Sequence, residues 1–130
     1  MWEKLAIHPY REYHRQREAA QLAEREQLRQ ERLAAAQIAI RVLAPQFPAL
    51  ERVYLFGSIV HPGRFTRRSD VDVAVMGDDL ASQTQFWRLL EQQLQWEVDV
   101  RSCVSPIQEV VNQEGICVYV RESDYSGAEH

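Results

Sequence analysis

The sequence predicts an α/β (α+β) fold, with a small mixed β-sheet, flanking helices and a long N-terminal helix. Two observations support this prediction. Residues 11–43 contain no Gly or Pro and are rich in Glu, Arg, Gln, Ala and Leu, a composition typical of helix. After residue 50, short alternating and apolar runs that are typical of strands are separated by helical patterns and turn residues.

The N-terminal helix is predicted to cover residues 11–43 and to end before two nearby prolines. At 1.5 Å per residue, a helix of about 33 residues extends about 50 Å, more than the width of a small domain. Its second half is apolar enough to pack on the sheet, whereas charges dominate its first half. We interpret that first half as solvated and held by pairs such as Glu12 with Arg15 and Glu26 with Arg29. The alternative is a docking arm for a partner or for a second copy of the chain.

The remaining elements are predicted from periodicity and capping residues. Ser82 and Gln85 have the spacing of a capping box, which predicts the start of a helix. Ser105 and Pro106 predict the start of another helix, and Gly115 its end. Because the first of these helices connects two strands, the strands are expected to be parallel or next-but-one neighbours. One predicted strand ends just before Gly57. The other three cover Asp70–Val75, Trp96–Arg101 and Ile116–Val120.

Length and composition indicate one small domain. With 130 residues, the chain can bury one core but not two. We expect residues 1–48 to form a helical extension that packs on the core, residues 49–121 to form the sheet domain, and residues 122–130 to be a disordered tail.

Composition also excludes several functional classes. A net charge of −4 argues against broad or direct nucleic-acid binding. Cys103 and Cys117 lack the spacing of a disulfide framework or a zinc site. No apolar run is long enough to cross a membrane, and the first residues lack a signal-peptide pattern. We therefore expect a cytoplasmic protein with no membrane contact.

Three acidic residues carry the strongest functional signal. Asp70 and Asp72 are spaced i, i+2 at the head of a predicted strand, so their side chains point to one face. Two ionised carboxylates about 4 Å apart repel by roughly 4 kcal/mol at an effective dielectric near 20, which favours a counter-cation. Mg²⁺ fits best, because it combines one or two carboxylates with phosphate oxygens. If its strand pairs beside the first, Asp99 is a further metal ligand or the base for an attacking hydroxyl.

A phosphate-binding element precedes these acids. Gly57 allows a tight turn and close backbone approach, Ser58 offers a hydroxyl, and a short helix starting there would direct free N–H groups at an anion. Residues 61–68 form a loop with three arginines suited to charge-assisted contacts with phosphate oxygens. The predicted nucleotide-binding residues are Gly57, Ser58, Arg64, Arg68 and Ser69.

The segment from Val53 to Val120 resembles the minimal nucleotidyltransferase (MNT) family of the DNA polymerase beta superfamily. It is similar in particular to the MNT proteins encoded beside HEPN-domain partners in prokaryotic toxin–antitoxin pairs. The resemblance implies a polymerase beta-like nucleotidyltransferase fold, with residues 49–121 as the minimal nucleotidyltransferase domain. The residues that carry it are Gly57, Ser58, Asp70, Asp72 and Asp99.

The resemblance also implies an activity. Family members transfer AMP from ATP to an acceptor hydroxyl, and those beside HEPN partners resemble antitoxins that modify a tyrosine of the partner ribonuclease. Ser58 would contact the nucleotide phosphates, Asp70 and Asp72 would bind Mg²⁺, and Asp99 would complete the triad. The expected partner is therefore a HEPN-type toxin, and the expected small-molecule substrate is a nucleoside triphosphate.

Two other functions fit the sequence. The first is a non-catalytic antitoxin or docking module that neutralises its partner through helix contacts, although a pure binder has no need of three clustered acids. The second is a small-molecule nucleotidyltransferase that acts as a homodimer, with the long helix completing the pocket. No additional domain that could grip a small acceptor is evident in the sequence, which favours a protein acceptor.

Overall fold

The computed structural model describes residues 2–77 and 79–122. Within them, the helices and strands confirm the predicted mixed sheet with flanking helices and a long N-terminal helix. The predicted tail lies outside the described residues from position 123 onward. In chain order the elements are α1 (Trp2–Leu43), β1 (Leu50–Phe56), β2 (Val71–Gly77), α2 (Leu80–Leu94), β3 (Val98–Ser102), α3 (Ile107–Glu114) and β4 (Ile116–Val120), with 3₁₀ helices at Ala44–Gln46 and Gly57–Val60.

The four strands form one sheet in the order β3-β2-β1-β4. β1 pairs antiparallel with both β2 and β4, whereas β2 and β3 are parallel neighbours. The α2 crossover joins these two parallel strands, as the sequence predicted. Because parallel strands run in the same direction, the first residues of β2 and β3 lie side by side at the same end of the sheet.

The core lies between one face of the sheet and the helices α1 and α2. Val71, Val73 and Val75 of β2 belong to this core, and Ala74 belongs to a smaller cluster on the opposite face with residues of α3. Since successive strand residues alternate between faces, Asp72 lies on the same side as Ala74. The fold therefore puts the acidic residues on the sheet face that α1 and α2 do not cover.

The two halves of α1 have different environments. Residues 9–24 are exposed throughout, whereas Ala36, Ala39 and Ile40 are fully buried. The helix has 42 residues, so it is about 63 Å long and starts nine residues earlier than predicted. The predicted Glu26–Arg29 ion pair is confirmed.

The predicted Glu12–Arg15 pair is not observed in the described part of α1. Glu12 instead accepts a hydrogen bond from Gln16 Nε2 at 3.4 Å, one helical turn further along.

Two predicted helix starts are wrong. α2 begins at Leu80 because Asp79 is its N-cap: Asp79 Oδ1 accepts from the Ala81 N–H at 3.0 Å, and the Ser82 hydroxyl donates to Asp79 Oδ2 at 2.6 Å. α3 begins at Ile107, after Pro106, and its start has no side-chain cap, because the Ser105 hydroxyl donates to Glu109 Oε1 and accepts no backbone N–H.

Other predicted boundaries hold more closely. Gly115 ends α3, and β4 covers Ile116–Val120 as predicted. β3 begins at Val98, two residues later than predicted. Across residues 2–77 and 79–122, none of the helices combines the length and apolar character needed to span a membrane.

Candidate active site

The parallel pairing of β2 and β3 places two of the predicted acids directly side by side. Asp72 of β2 is the register partner of Asp99 of β3, and both side chains are half-buried. Asp70 immediately precedes β2 and is exposed. The three acids predicted from the sequence therefore lie near one another at the start of β2 and in the neighbouring strand β3.

Asp72 is the acid most strongly affected by this arrangement. Burial, together with the negative charges of Asp99 and Asp70, raises the pKa of Asp72 to about 6, and the positive charge of Arg101 opposes this shift. Both neighbouring acids thus act on Asp72 through space. This unfavourable concentration of negative charge is what a bound cation would relieve.

Asp70 has a close acidic neighbour that sequence reasoning missed. A hydrogen bond with Asp70 and the charge of Asp70 raise the pKa of Glu97, the residue immediately before β3. The same parallel pairing explains this contact, because Asp70 and Glu97 occupy equivalent positions before neighbouring strands. The sequence does contain the signal, since Glu97 precedes Asp99 by the same two residues that separate Asp70 from Asp72.

Asp99 forms an ion pair within its own strand. Arg101 Nε donates to Asp99 Oδ2 at 2.9 Å, an i, i+2 contact on the same face of β3. This contact holds the carboxylate of Asp99 beside Asp72. It also leaves the second oxygen of Asp99 for another partner.

The Gly57–Ser58 turn lies against Asp72. β1 ends at Phe56, whose register partner is Asp72, and the 3₁₀ helix Gly57–Val60 follows at once. Gly57 has φ +78°, and a Cβ at this position would lie 3.1 Å from Asp72 Cγ and overlap Oδ2. Only glycine therefore allows the backbone to approach the carboxylate this closely.

The predicted nucleotide-binding residues are divided between the turn and the following loop. Ser58 is half-buried in the turn, and its carbonyl accepts from the His61 N–H at 3.1 Å. Ser69 Oγ accepts from the Thr66 N–H at 2.9 Å, so this hydroxyl stabilises the loop itself. Arg64 is exposed.

A cleft of about 350 Å³ opens beside Asp70. Arg68, one of the predicted nucleotide-binding residues, lines this cleft, and so does Arg32 of α1. The guanidinium of Arg32 lies 4.9 Å from the centre of the Trp96 ring, a cation–π contact that fixes its direction. Arg32 was missed because an arginine on a polar helix gives no sequence signal for a cleft.

The donor set fits Mg²⁺ in its chemistry, since carboxylate oxygens are the ligands that this ion prefers. In the described part of the chain, however, no three His, Cys, Asp or Glu side chains converge as a preformed metal site. The reason is visible in the two flanking acids. Asp70 lies beside Glu97, whose pKa it raises, and Asp99 is hydrogen-bonded to Arg101, so coordination by all three acids requires these side chains to turn toward Asp72.

Comparison with known proteins agrees with this geometry. The family model described as polymerase beta, nucleotidyltransferase matches residues 39–124, well over half of the chain. Curated protein sequences give no match. The polymerase beta-like fold that the resemblance implied is therefore confirmed.

Solved structures of toxin–antitoxin complexes are similar to this chain. A toxin–antitoxin crystal structure with AMP-PNP is 26% identical over 68% of this chain and 76% of that chain, with a TM-score of 0.56. A complex of a tri-AMPylated Shewanella oneidensis HEPN toxin with MNT antitoxin is 22% identical over 73% and 77%, with a TM-score of 0.50. An MntA–HepT toxin–antitoxin structure is 22% identical over 71% and 75%, also with a TM-score of 0.50. At 22% identity, the last two show the fold alone.

Proposed function

Because this chain belongs to the polymerase beta nucleotidyltransferase family, we propose that it transfers AMP from ATP to a hydroxyl of a partner protein. In this proposal the reaction depends on Mg²⁺, and the chain is the antitoxin that AMPylates a HEPN ribonuclease toxin. The observation that carries the proposal is the pairing of Asp72 with Asp99 beside the Gly57–Ser58 turn. Carboxylates and a glycine–serine turn in contact are what metal-assisted nucleotide transfer requires.

In the proposed mechanism the acids have separate roles. Asp70 and Asp72 would hold Mg²⁺, which would neutralise charge on the phosphates of ATP. Asp99 accepts the proton of the acceptor hydroxyl, through the carboxylate oxygen that Arg101 leaves free. The hydroxyl oxygen forms a bond to the α-phosphorus while the bond to pyrophosphate breaks in line with it.

The turn and the arginines would bind the triphosphate. Ser58 directly follows Gly57, whose backbone lies against the carboxylate of Asp72. Arg68 lines the cleft beside Asp70 and has no carboxylate within ion-pair distance in the described residues, so it is available for phosphate oxygens. Arg64 is exposed on the same loop and would contribute when nucleotide binds.

The similar structures support the choice of substrate and partner. The toxin–antitoxin structure that is 26% identical to this chain is a complex with AMP-PNP, an ATP analogue. In another similar structure, an AMPylated HEPN toxin is in complex with an MNT antitoxin. ATP as the nucleotide and a HEPN protein as the acceptor are therefore the substrates to test first.

Incubation of this protein with ATP, Mg²⁺ and a HEPN protein encoded beside it is expected to add the mass of AMP to the HEPN protein. Intact-mass spectrometry measures the adduct, and peptide mapping locates it on a hydroxyl residue. Matched reactions with GTP, CTP and UTP report base preference, and a reaction with EDTA reports metal dependence. Absence of an adduct with all four nucleotides would contradict the proposed transfer.

The exposed half of α1 favours a second candidate function, neutralisation by docking alone. Residues 9–24 are all exposed, and the side chains of Tyr10 and Tyr13 are 66% and 57% exposed. Co-expression separates the two functions. An antitoxin that acts by docking continues to block its toxin when the acids are replaced, whereas one that acts by AMP transfer does not.

A further inference from the structure

Helix α1 reaches the Gly57–Ser58 turn through one unusual side chain. Arg29 is 8% exposed, and it is the one buried polar or charged residue within the described residues. It lies in the middle of α1, ten residues before the segment that matches the family model begins. Burial of an arginine is unfavourable unless its donors are satisfied, so its partners indicate its role.

Two partners satisfy the guanidinium of Arg29. Its Nε lies 3.0 Å from each carboxylate oxygen of Glu26, and its Nη1 donates to the backbone carbonyl of Ile59 at 2.9 Å. Glu26 raises the pKa of Arg29, and the hydrogen bond from Arg29 lowers the pKa of Glu26. The pair is therefore ionised, and it positions one N–H directly at the turn.

The residue that Arg29 contacts is next to the predicted phosphate ligand. Ile59 follows Ser58 in the same 3₁₀ turn and is fully buried. The backbone of Gly63 also lowers the pKa of Glu26, although less than Arg29 does. The Glu26–Arg29 pair thus contacts the 3₁₀ turn at the carbonyl of Ile59.

The opposite side of the turn has its own contact. His61 N–H donates to the carbonyl of Ser58 at 3.1 Å, and His61 Nε2 lies 2.8 Å from Glu114 Oε2 at the end of α3. The turn therefore lies between α1 and α3. Of the two contacts, only the one from α1 is made to the backbone of the turn itself.

We propose that Arg29, oriented by Glu26, is a positioning residue that fixes the 3₁₀ turn and so sets the affinity of Ser58 for the triphosphate. The part of this inference that concerns triphosphate binding rests on the proposed function. The part that concerns the position of the turn rests on geometry alone. It assigns α1 a part in the active site, in addition to its role in the core. A planar guanidinium can bind a carboxylate and a carbonyl at once, which the single ammonium of lysine cannot do with the same geometry.

Two measurements on full-length variants test this inference. In Arg29→Met, ATP binding with Mg²⁺ is expected to weaken by at least about tenfold, measured by calorimetry. Amide hydrogen exchange in residues 58–63 is expected to accelerate by at least about tenfold, while residues 71–75 and 98–102 exchange as in wild type. In Arg29→Lys, both effects are expected to be smaller than in Arg29→Met. A role in general stability alone would instead accelerate exchange throughout the domain.

Arg41→Met is the matched control, because Arg41 is an exposed arginine in the last turn of α1. It is expected to leave ATP binding and exchange unchanged. If Arg29→Met does not fold, Glu26→Gln and Arg29→Lys carry the same test. Wild-type exchange in the turn of a folded Arg29 or Glu26 variant overturns the inference. Failure of the wild type to bind any nucleotide overturns the proposed function, and the exchange measurement still decides whether Arg29 holds the turn.

Discussion

Replacing Asp72 by Asn is expected to reduce AMP transfer by about 10³-fold or more and, at the same time, to stabilise the protein without ligand. The loss of transfer follows because Asn cannot supply the negative charge that offsets Mg²⁺ and the triphosphate in the transition state. The stabilisation follows because the substitution removes a carboxylate that burial and two neighbouring acids make unfavourable. Transfer is measured by the rate of adduct formation, and stability by urea unfolding.

The stability gain has a defined pH dependence. Burial, Asp99 and Asp70 raise the pKa of Asp72 from 3.8 to about 6, so between these values the folded state retains a proton that the unfolded state has lost. The contribution of Asp72 to stability therefore falls as the pH rises from about 4 to about 6, and stays low above that. Asp72→Asn is expected to gain about 1 kcal/mol at pH 8, after allowance for solvent screening, and nothing at pH 3.5.

Asp79→Asn is the matched control for this substitution. It makes the same chemical change in an exposed residue that caps α2, where Asn serves nearly as well as Asp. Transfer is expected to remain at the wild-type rate, and no stability gain is expected at pH 8, because a hydrogen bond from Ser82 lowers the pKa of Asp79. An Asp72→Asn variant that transfers AMP at the wild-type rate would contradict the role of the carboxylate.

Gly57→Ala is expected to have the second largest effect. The added Cβ would overlap Asp72 Oδ2, so either the turn or the carboxylate must move. Displacement of catalytic groups by about 1 Å is expected to reduce transfer by roughly 10²-fold. The free energy of unfolding is expected to fall by about 1–3 kcal/mol, because the clash adds to the strain of a left-handed backbone conformation.

Gly63→Ala separates the clash from the backbone strain. Gly63 has φ +85°, close to the +78° of Gly57, but a Cβ there would meet nothing within 4 Å. This variant is expected to lose about 1 kcal/mol of stability from strain alone and to keep nearly all of its transfer activity. Equal losses of activity in the two variants would show that close approach of the turn to Asp72 is not needed.

The sequence was sufficient to predict the acidic side of the site because strand geometry determines it. Alternation puts Asp72 on the face opposite Val71 and Val73, and the α2 crossover makes β2 and β3 parallel, which brings Asp99 beside Asp72. Both rules follow from the order of strands and helices along the chain, so they need no knowledge of how α1 packs. The start of β3 was placed two residues early, but an even shift leaves each side chain on its predicted face.

The contacts missed from the sequence depend on how α1 lies against the turn. Arg29 and Ile59 are 30 residues apart, and nothing in the pattern around Arg29 distinguishes it from the solvated arginines of the same helix. The Glu26–Arg29 pair was predicted, but as a surface pair. Its burial follows from the packing of α1 beside the 3₁₀ turn, which no local periodicity specifies.

Helix starts were mispredicted for a local reason. At the start of α2, more than one residue was able to cap, and the sequence pattern selected the wrong one. Asp79 caps α2 three residues before the predicted Ser82, which donates to Asp79 instead. Such competition between neighbouring side chains depends on rotamers rather than on spacing.

The central claim is that Asp70 and Asp72 bind a divalent ion together with a nucleotide at the Gly57–Ser58 turn. The most direct test is a crystal structure with Mn²⁺ and a non-hydrolysable ATP analogue, in which anomalous scattering locates the metal independently of the protein. The predicted result is a metal peak in direct contact with the carboxylates of Asp70 and Asp72, with triphosphate oxygens against Ser58. A nucleotide bound elsewhere, or a peak that contacts neither carboxylate, would contradict the claim.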